Sequence, residues 1–204
     1  MKLIGFYSYT VILTYMSLVS GLIGMVLASE GRLGAAICCL LLSGICDLFD
    51  GVVARSKKNR TTEEKLFGIQ IDSLCDTVCF GVFPAVFLYF SGVDTVYGIA
   101  ILILYVLCAV IRLGFFNVLE SMRQLREDGC AKAYRGLPVT SAAIIFPLAY
   151  LVSLKVAPEA MSVVYCVLTF VTAVLFVADF RVPKIDLAKL LRKPEKEEPK
   201  HPIS

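Results

Sequence analysis

Apolar residues in this chain fall into six long runs, at about 8–29, 33–54, 71–91, 95–117, 137–156 and 160–178, separated by short polar breaks. Each run is about 20 residues, the length an α-helix rising about 1.5 Å per residue needs to cross about 30 Å of hydrocarbon. No run alternates apolar and polar positions in the manner of a barrel strand, so helices are the predicted spanning element. The pattern predicts an all-α, polytopic integral membrane protein with six transmembrane helices. A hydrophobic content of 58% and a mean hydropathy of +0.78 agree, since both are too high for a soluble domain around one core. The predicted organisation is a membrane domain over residues 1–180 and a polar tail over 181–204.

Charge adds orientation. With the N-terminus inside and six crossings, Lys2, the 55–65 loop, Arg112, the 123–135 loop and the tail from Arg181 share one side. All of the 20 Lys and Arg except Arg32 and Lys155 then lie on that side, and the excess of basic residues makes it cytoplasmic. Both termini are therefore expected in the cytoplasm. The net charge of +3 conceals this asymmetry.

Lys2 followed by an apolar run and "VLAS" resembles a secretory signal cleaved after Ala28, but further spans follow at once, so an uncleaved first helix is expected. The aromatic groups of "GFYSY" suit the lipid headgroup level. Of the eight cysteines, all but Cys130 lie inside apolar spans, and Cys130 lies in a predicted cytoplasmic loop, where thiols stay reduced. There is no CxxC, and the single histidine, His201, is in the tail, which excludes the usual zinc arrangements. Cys75 and Cys79 share a helix face and are read as small packing residues. The tail "KIDLAKLLRKPEKEEPKHPIS" reads as a short interfacial helix followed by a disordered, Pro- and charge-rich stretch.

One stretch breaks the apolar pattern. "CDLFDGVVARSKKNRTTEEKLFGIQIDSLCD", residues 46–76, sets Asp47, Asp50, Asp72 and Asp76 in or beside membrane-spanning segments. At about 100° per residue, Asp47, Asp50, Gly51 and Ala54 share one face of the second helix. Gly68, Asp72 and Asp76 form a stripe on the third. Joined by a short basic loop, the two antiparallel helices bring these faces together near the cytoplasmic end, with small residues allowing close approach.

Clustered carboxylates cannot all stay ionised without compensation by protons or a multivalent cation. Hard oxygen ligands without His or Cys point to magnesium, manganese or calcium, and two ions held by four acids would suit in-line displacement at phosphorus. A phosphate substrate also needs cations. Arg55, Lys57, Lys58 and Arg60 follow the second helix, Arg112 lies between apolar segments of the fourth, and Arg135 precedes the fifth. The loop charges are explained by topology, whereas an intramembrane Arg112 is a functional candidate. Asn117 is a further candidate for hydrogen bonding a polar ligand. The competing readings are a solvated helix end and a cation pathway. A pathway needs polar residues continuing across the membrane, yet spans two and three become apolar beyond Cys46 and Phe80.

"DLFDGVVAR" followed by "GIQIDSLCD" resembles the signature of the CDP-alcohol phosphotransferase family, D-x2-D-G-x2-A-R, a spacer, then G-x3-D-x3-D. The spacer here, residues 56–67, is longer than is common, and Ser17 stands where an Asn is expected. Within that family, "FGIQIDSLCDTVCFGVFPA", "RLGFFN" and "YRGLPVTSAA" look like strings of the bacterial and archaeal phosphatidylserine synthases.

The resemblance implies an enzyme of phospholipid biosynthesis in the cytoplasmic membrane, with CDP-diacylglycerol as donor, L-serine as acceptor, and phosphatidylserine and CMP as products. It implies two Mg2+ or Mn2+ ions held by Asp47, Asp50, Asp72 and Asp76, with Asp76 also the general base. Gly51, Ala54, Arg55 and Gly68 would bind the CDP-diacylglycerol, and Arg112, Asn117 and Arg135 its phosphate or the serine. A homodimer in the lipid bilayer is expected, and no nucleic-acid partner. No Ser–His or Cys–His arrangement is available, so direct displacement is the simpler route. The alternatives are the same chemistry with glycerol 3-phosphate or an inositol phosphate as acceptor, or a divalent-cation transporter.

Overall fold

A computed structural model describes residues 5–6, 9–56, 61–125 and 133–183. A 3₁₀ turn at Tyr9–Val11 leads into α1 (Ile12–Ser29), followed by α2 (Leu33–Ser56) and α3 (Thr62–Asp76). A π-helical segment, Thr77–Val82, joins α3 to α4 (Phe83–Phe90) within one continuous span. Then come α5 (Val96–Leu125), a 3₁₀ turn at Val139–Ser141 with α6 (Ala142–Ser153), and α7 (Pro158–Val177).

Among the described residues, five helices are long and apolar enough to cross a membrane: Ile12–Ser29, Leu33–Val53, Thr62–Phe90, Val96–Met122 and Ala160–Val177. The run expected at 137–156 gives only the 12 residues of α6 after its 3₁₀ turn. Its first residues are drawn elsewhere: Gly136 N–H donates to Phe180 O (2.7 Å) and Leu137 N–H to Leu175 O (3.2 Å), at the end of α7. Two other helices outlast their apolar runs. α3 starts early because Thr61 and Glu64 form a reciprocal capping box, and α5 continues through "VLESMRQL".

The packing is that of a bundle with its apolar surface outward. The buried face of α1 is Thr14, Ser17, Ser20, Gly21, Gly24 and Ala28, while Met16, Val19, Ile23 and Val26 are exposed. With lipid outside, burying a leucine gains little, and close van der Waals approach with interhelical hydrogen bonds holds the helices instead. Ser17 and Ser43 bond hydroxyl to hydroxyl (2.6 Å), and Ser20 donates to Cys39 O (2.9 Å). Cys79 lies 3.6 Å from Ser17 Oγ, at the same seam. The Thr62–Phe90 span is the central one, with 61% of its apolar window buried against 33% for each other span. Around it Phe80, Phe83, Phe87, Tyr105, Phe146 and Phe176 form the fully buried aromatic core. The Tyr105 hydroxyl donates to Phe80 O (2.6 Å), a carbonyl of the π-helical segment, whose wider turn interrupts the regular ladder.

The helical fold has one small exception among the described residues. β1 (Ala133–Arg135) pairs antiparallel with β2 (Arg181–Pro183), Tyr134 opposite Val182. The first three residues of the expected tail, Arg181–Pro183, thus form a paired strand, and the rest, 184–204, with the expected interfacial helix and disordered stretch, lies outside the described residues. Gly136, next to β1, has φ +71°, and an added Cβ would come within 2.9 Å of Ala178 O and 3.3 Å of Phe176 O. Gly136→Ala is therefore expected to destabilise the protein by about 1–3 kcal/mol, read as a lower Tm in detergent.

Candidate active site

Three helices build the acidic site. Asp47 and Asp50 lie one turn apart on α2, and Asp72 and Asp76 one turn apart on α3, so each pair faces the same way. The two faces meet: Asp47, Asp50 and Asp72 each bring a carboxylate oxygen to within 4.8 Å of the others. Asp47 and Asp76 lie within hydrogen-bonding reach, as do Asp50 and Asp72. Asp50 and Asp76 are buried, at 9% and 8% exposure, and Asp47 and Asp72 are half-buried.

The charged groups acting most strongly on each acid are the other acids. Such a set is held together by the helices against its own repulsion. Asp72 Oδ1 is buried and has no hydrogen-bond partner. Three converging carboxylates, one of them with an orphaned, buried oxygen, are a ligand set for a hard divalent cation, so these residues fit Mg2+ or Mn2+.

Two supports missed in the sequence appear beside the acids. Thr14 on α1 donates from Oγ1 to Asp50 Oδ2 (3.2 Å), which aims that carboxylate. Its signal was its place on the small-residue stripe of α1, with Ser17 one turn on. Ser73, between Asp72 and Asp76, donates to Asn117 Oδ1 (2.5 Å), and Asn117 Nδ2 donates to Gln70 Oε1 (3.3 Å). Asn117, read as a ligand-binding residue, thus ties α5 to the acidic helix. Asn117→Ala should lower kcat/KM about tenfold through loss of these bonds, with the Mn2+ dissociation constant as the accompanying readout of α3 placement.

The other candidates are distributed as follows. An added Cβ at Gly51, beside Asp50, would meet nothing within 4 Å, so that flank is open. Gly68 lies on α3 one turn before Asp72 and is half-buried. Ala54 and Arg55 are in α2 and Arg135 is in β1, while their side chains, and Lys57, Lys58 and Arg60, lie outside the described residues. Arg112 on α5 is 7% exposed and lies 5.8 Å from the centre of the Phe116 ring.

The profile of the CDP-alcohol phosphatidyltransferase family matches residues 9–181. An archaetidylserine synthase of Methanothermobacter thermautotrophicus is 33% identical over 187 residues, covering 91% of this chain and 73% of that protein. A CDP-diacylglycerol–serine O-phosphatidyltransferase of Saccharomyces cerevisiae is 41% identical over 117 residues, 55% of this chain and 40% of the yeast protein. The enzyme of that name from Mycobacterium leprae is 36% identical over 138 residues, 65% of this chain and 43% of its own. The chain thus spans less than half the length of the yeast and mycobacterial relatives. No solved structure matches the chain. With the profile covering most of its length, the chain belongs to the CDP-alcohol phosphatidyltransferase family.

Proposed function

We propose that the chain transfers a phosphatidyl group from CDP-diacylglycerol to the hydroxyl of L-serine, giving phosphatidylserine and CMP. The observation that carries this reading is the cross-helix cluster of Asp47, Asp50, Asp72 and Asp76, with its orphaned Asp72 oxygen, set within spanning helices. The choice of serine is supported by the relatives, named for serine or archaetidylserine synthesis.

In this reading Asp47, Asp50 and Asp72 hold divalent metal, two ions with Asp76 completing the set. When bound, such ions offset charge on the donor's pyrophosphate and on the departing CMP. Asp76 takes the proton of the serine hydroxyl as its oxygen attacks the lipid-side phosphorus. The bond from that phosphorus to the CMP oxygen breaks, and CMP leaves as the phosphate monoester. The open flank at Gly51, with Ala54, Arg55 and Gly68, accepts the nucleotide end of the donor. Arg112 and Arg135 supply positive charge to the lipid phosphate or the serine carboxylate.

Six crossings, with α6 the short one, put both termini and the acids on the cytoplasmic side of the cytoplasmic membrane. Residues 1–180 form the catalytic membrane domain, 181–204 a cytoplasmic tail, and the protein works as a homodimer. A one-sided enzyme suits the interior better than a cation pathway, because Phe80, Phe83 and Phe87 are fully buried beyond the acids.

The test is acceptor-dependent CMP release by purified protein with Mg2+ or Mn2+. CDP-diacylglycerol and its diether counterpart would be donors, with serine, glycerol 3-phosphate, inositol and inositol phosphate as acceptors. Release with serine alone is expected. Release with another acceptor only would overturn the serine assignment, and metal binding without release by any acceptor would return the transporter reading.

A further inference from the structure

A cavity of about 250 Å3 lies between α5 and the cytoplasmic end of α7, apart from the four aspartates. At about 30 Å3 per water it has room for roughly eight, enough for a small polar molecule. Its walls include Arg112 and Phe115 from α5, and Phe176, Ala178 and Asp179 from α7 and the residues after it. Gly136 closes on the same place: a Cβ there would lie 3.5 Å from Arg112 Nε. The glycine therefore places no side chain of its own against the guanidinium. The strings "RLGFFN" and "YRGLPVTSAA", separated by residues 118–133, meet here through Arg112 and Gly136.

The depth of the cavity follows from how α5 runs antiparallel to the central span. Tyr105 bonds Phe80 O, Ala109 packs at Gly81, and Asn117 takes the bond from Ser73. Arg112 falls between the last two contacts, opposite Val78 in that register and within one turn of Asp76. The cavity is thus within about one helical turn of the depth of the carboxylate proposed to deprotonate the acceptor.

Its two charged groups have opposite sign. Arg112 is buried, whereas Asp179 is exposed and makes no hydrogen bond or ion pair among the described residues. The fully buried Phe176 forms an apolar wall of the same cavity, and a low-dielectric wall strengthens charge recognition. We infer that this cavity is the acceptor subsite and that Asp179 is its specificity residue, taking the ammonium of a zwitterionic amino acid whose carboxylate meets Arg112. The inference rests on the reading of serine as acceptor. An acidic wall also works against the alternatives: glycerol 3-phosphate and inositol phosphate have no ammonium, and Asp179 repels their phosphates.

Steady-state kinetics of the full chain in detergent with Asp179→Asn, Asp179→Ala and Asp179→Glu would test it, varying serine and CDP-diacylglycerol separately. Asp179→Asn and Asp179→Ala are expected to raise the KM for serine about 10- to 100-fold, the range of a lost charge-assisted hydrogen bond. The KM for the donor should stay within about twofold, and Asp179→Glu should recover part of the loss. With 3-hydroxypropionate, which is serine without its ammonium, the Asn variant should equal or exceed the unmodified protein. Serine turnover with an unchanged KM in Asp179→Asn would overturn this inference alone. An equal loss for donor and serine would also overturn it, because Asp179 would then be structural. An unmodified protein that ignores serine and uses another acceptor would overturn the inference together with the reading beneath it.

Discussion

Asp72→Asn is expected to lower metal-dependent CMP release about 10³-fold while raising the thermal stability of the metal-free protein. The two effects have one cause. Asp72 brings its carboxylate to those of Asp47 and Asp50, and its Oδ1 is buried without a partner. Without a cation the fold bears the repulsion of these groups and the desolvation of that oxygen, a local cost kept for function. An amide removes the charge at nearly constant shape, so the metal-free bundle should relax and its Tm rise. The same change removes a ligand. Unmodified protein at 100 times its metal dissociation constant gains about 2.7 kcal/mol from binding, a gain the variant should lose. Melting curves with and without Mn2+, a Mn2+ titration and CMP release together check the set. Full turnover of Asp72→Asn, or of the unmodified protein in excess chelator, would remove the metal from the proposal. Opposite signs of the stability and activity changes separate this outcome from misfolding.

What the sequence made legible, and what it did not, follows from the range of the signal. Asp47 with Asp50 and Asp72 with Asp76 could be placed on common faces because helical periodicity is local, and a short connection between antiparallel helices leaves those faces few ways to meet. The long apolar runs were visible for the same reason, since length and hydropathy are read residue by residue. Thr14 was not visible, because its partner Asp50 is 36 positions away and a threonine in an apolar span has many uses. The shortness of α6 was also hidden. "RGLP" looks like the edge of an apolar run, yet its backbone donors are taken by Phe180 O and Leu175 O at the end of α7. The π-helical segment has no composition of its own in "TVCFGV", and its carbonyl at Phe80 is matched only by Tyr105 from another helix. Arg112 was noticed for being a cation among apolar residues, but its sharing a cavity wall with Asp179 depends on how α5 and α7 pack.

Asp76 carries the other large effect. Asp76→Asn should reduce kcat about 10²- to 10⁴-fold, the range for loss of a general base, with much smaller changes in the KM values for donor and serine. Asp76 is the deeper acid of its stripe, one turn beyond Asp72, 8% exposed and in reach of Asp47. Asp47, Asp50 and Asp72 bring oxygens to one point, whereas Asp76 is the α3 acid nearest in register to Arg112 on the wall of the cavity assigned to the acceptor. A base must reach the acceptor hydroxyl, and of the two α3 acids Asp76 is the nearer in register to Arg112. A ligand and a base respond differently to the same substitution. If Asp76 chiefly moves the proton, Asp76→Asn keeps Mn2+ affinity near that of the unmodified protein and binds CMP, yet fails at turnover. If Mn2+ affinity falls as far as in Asp72→Asn, Asp76 is a ligand first, and the proton must leave by another group or by water. Near-normal kcat in the variant would exclude both roles and leave Asp76 as a buried neighbour that holds Asp47 in place.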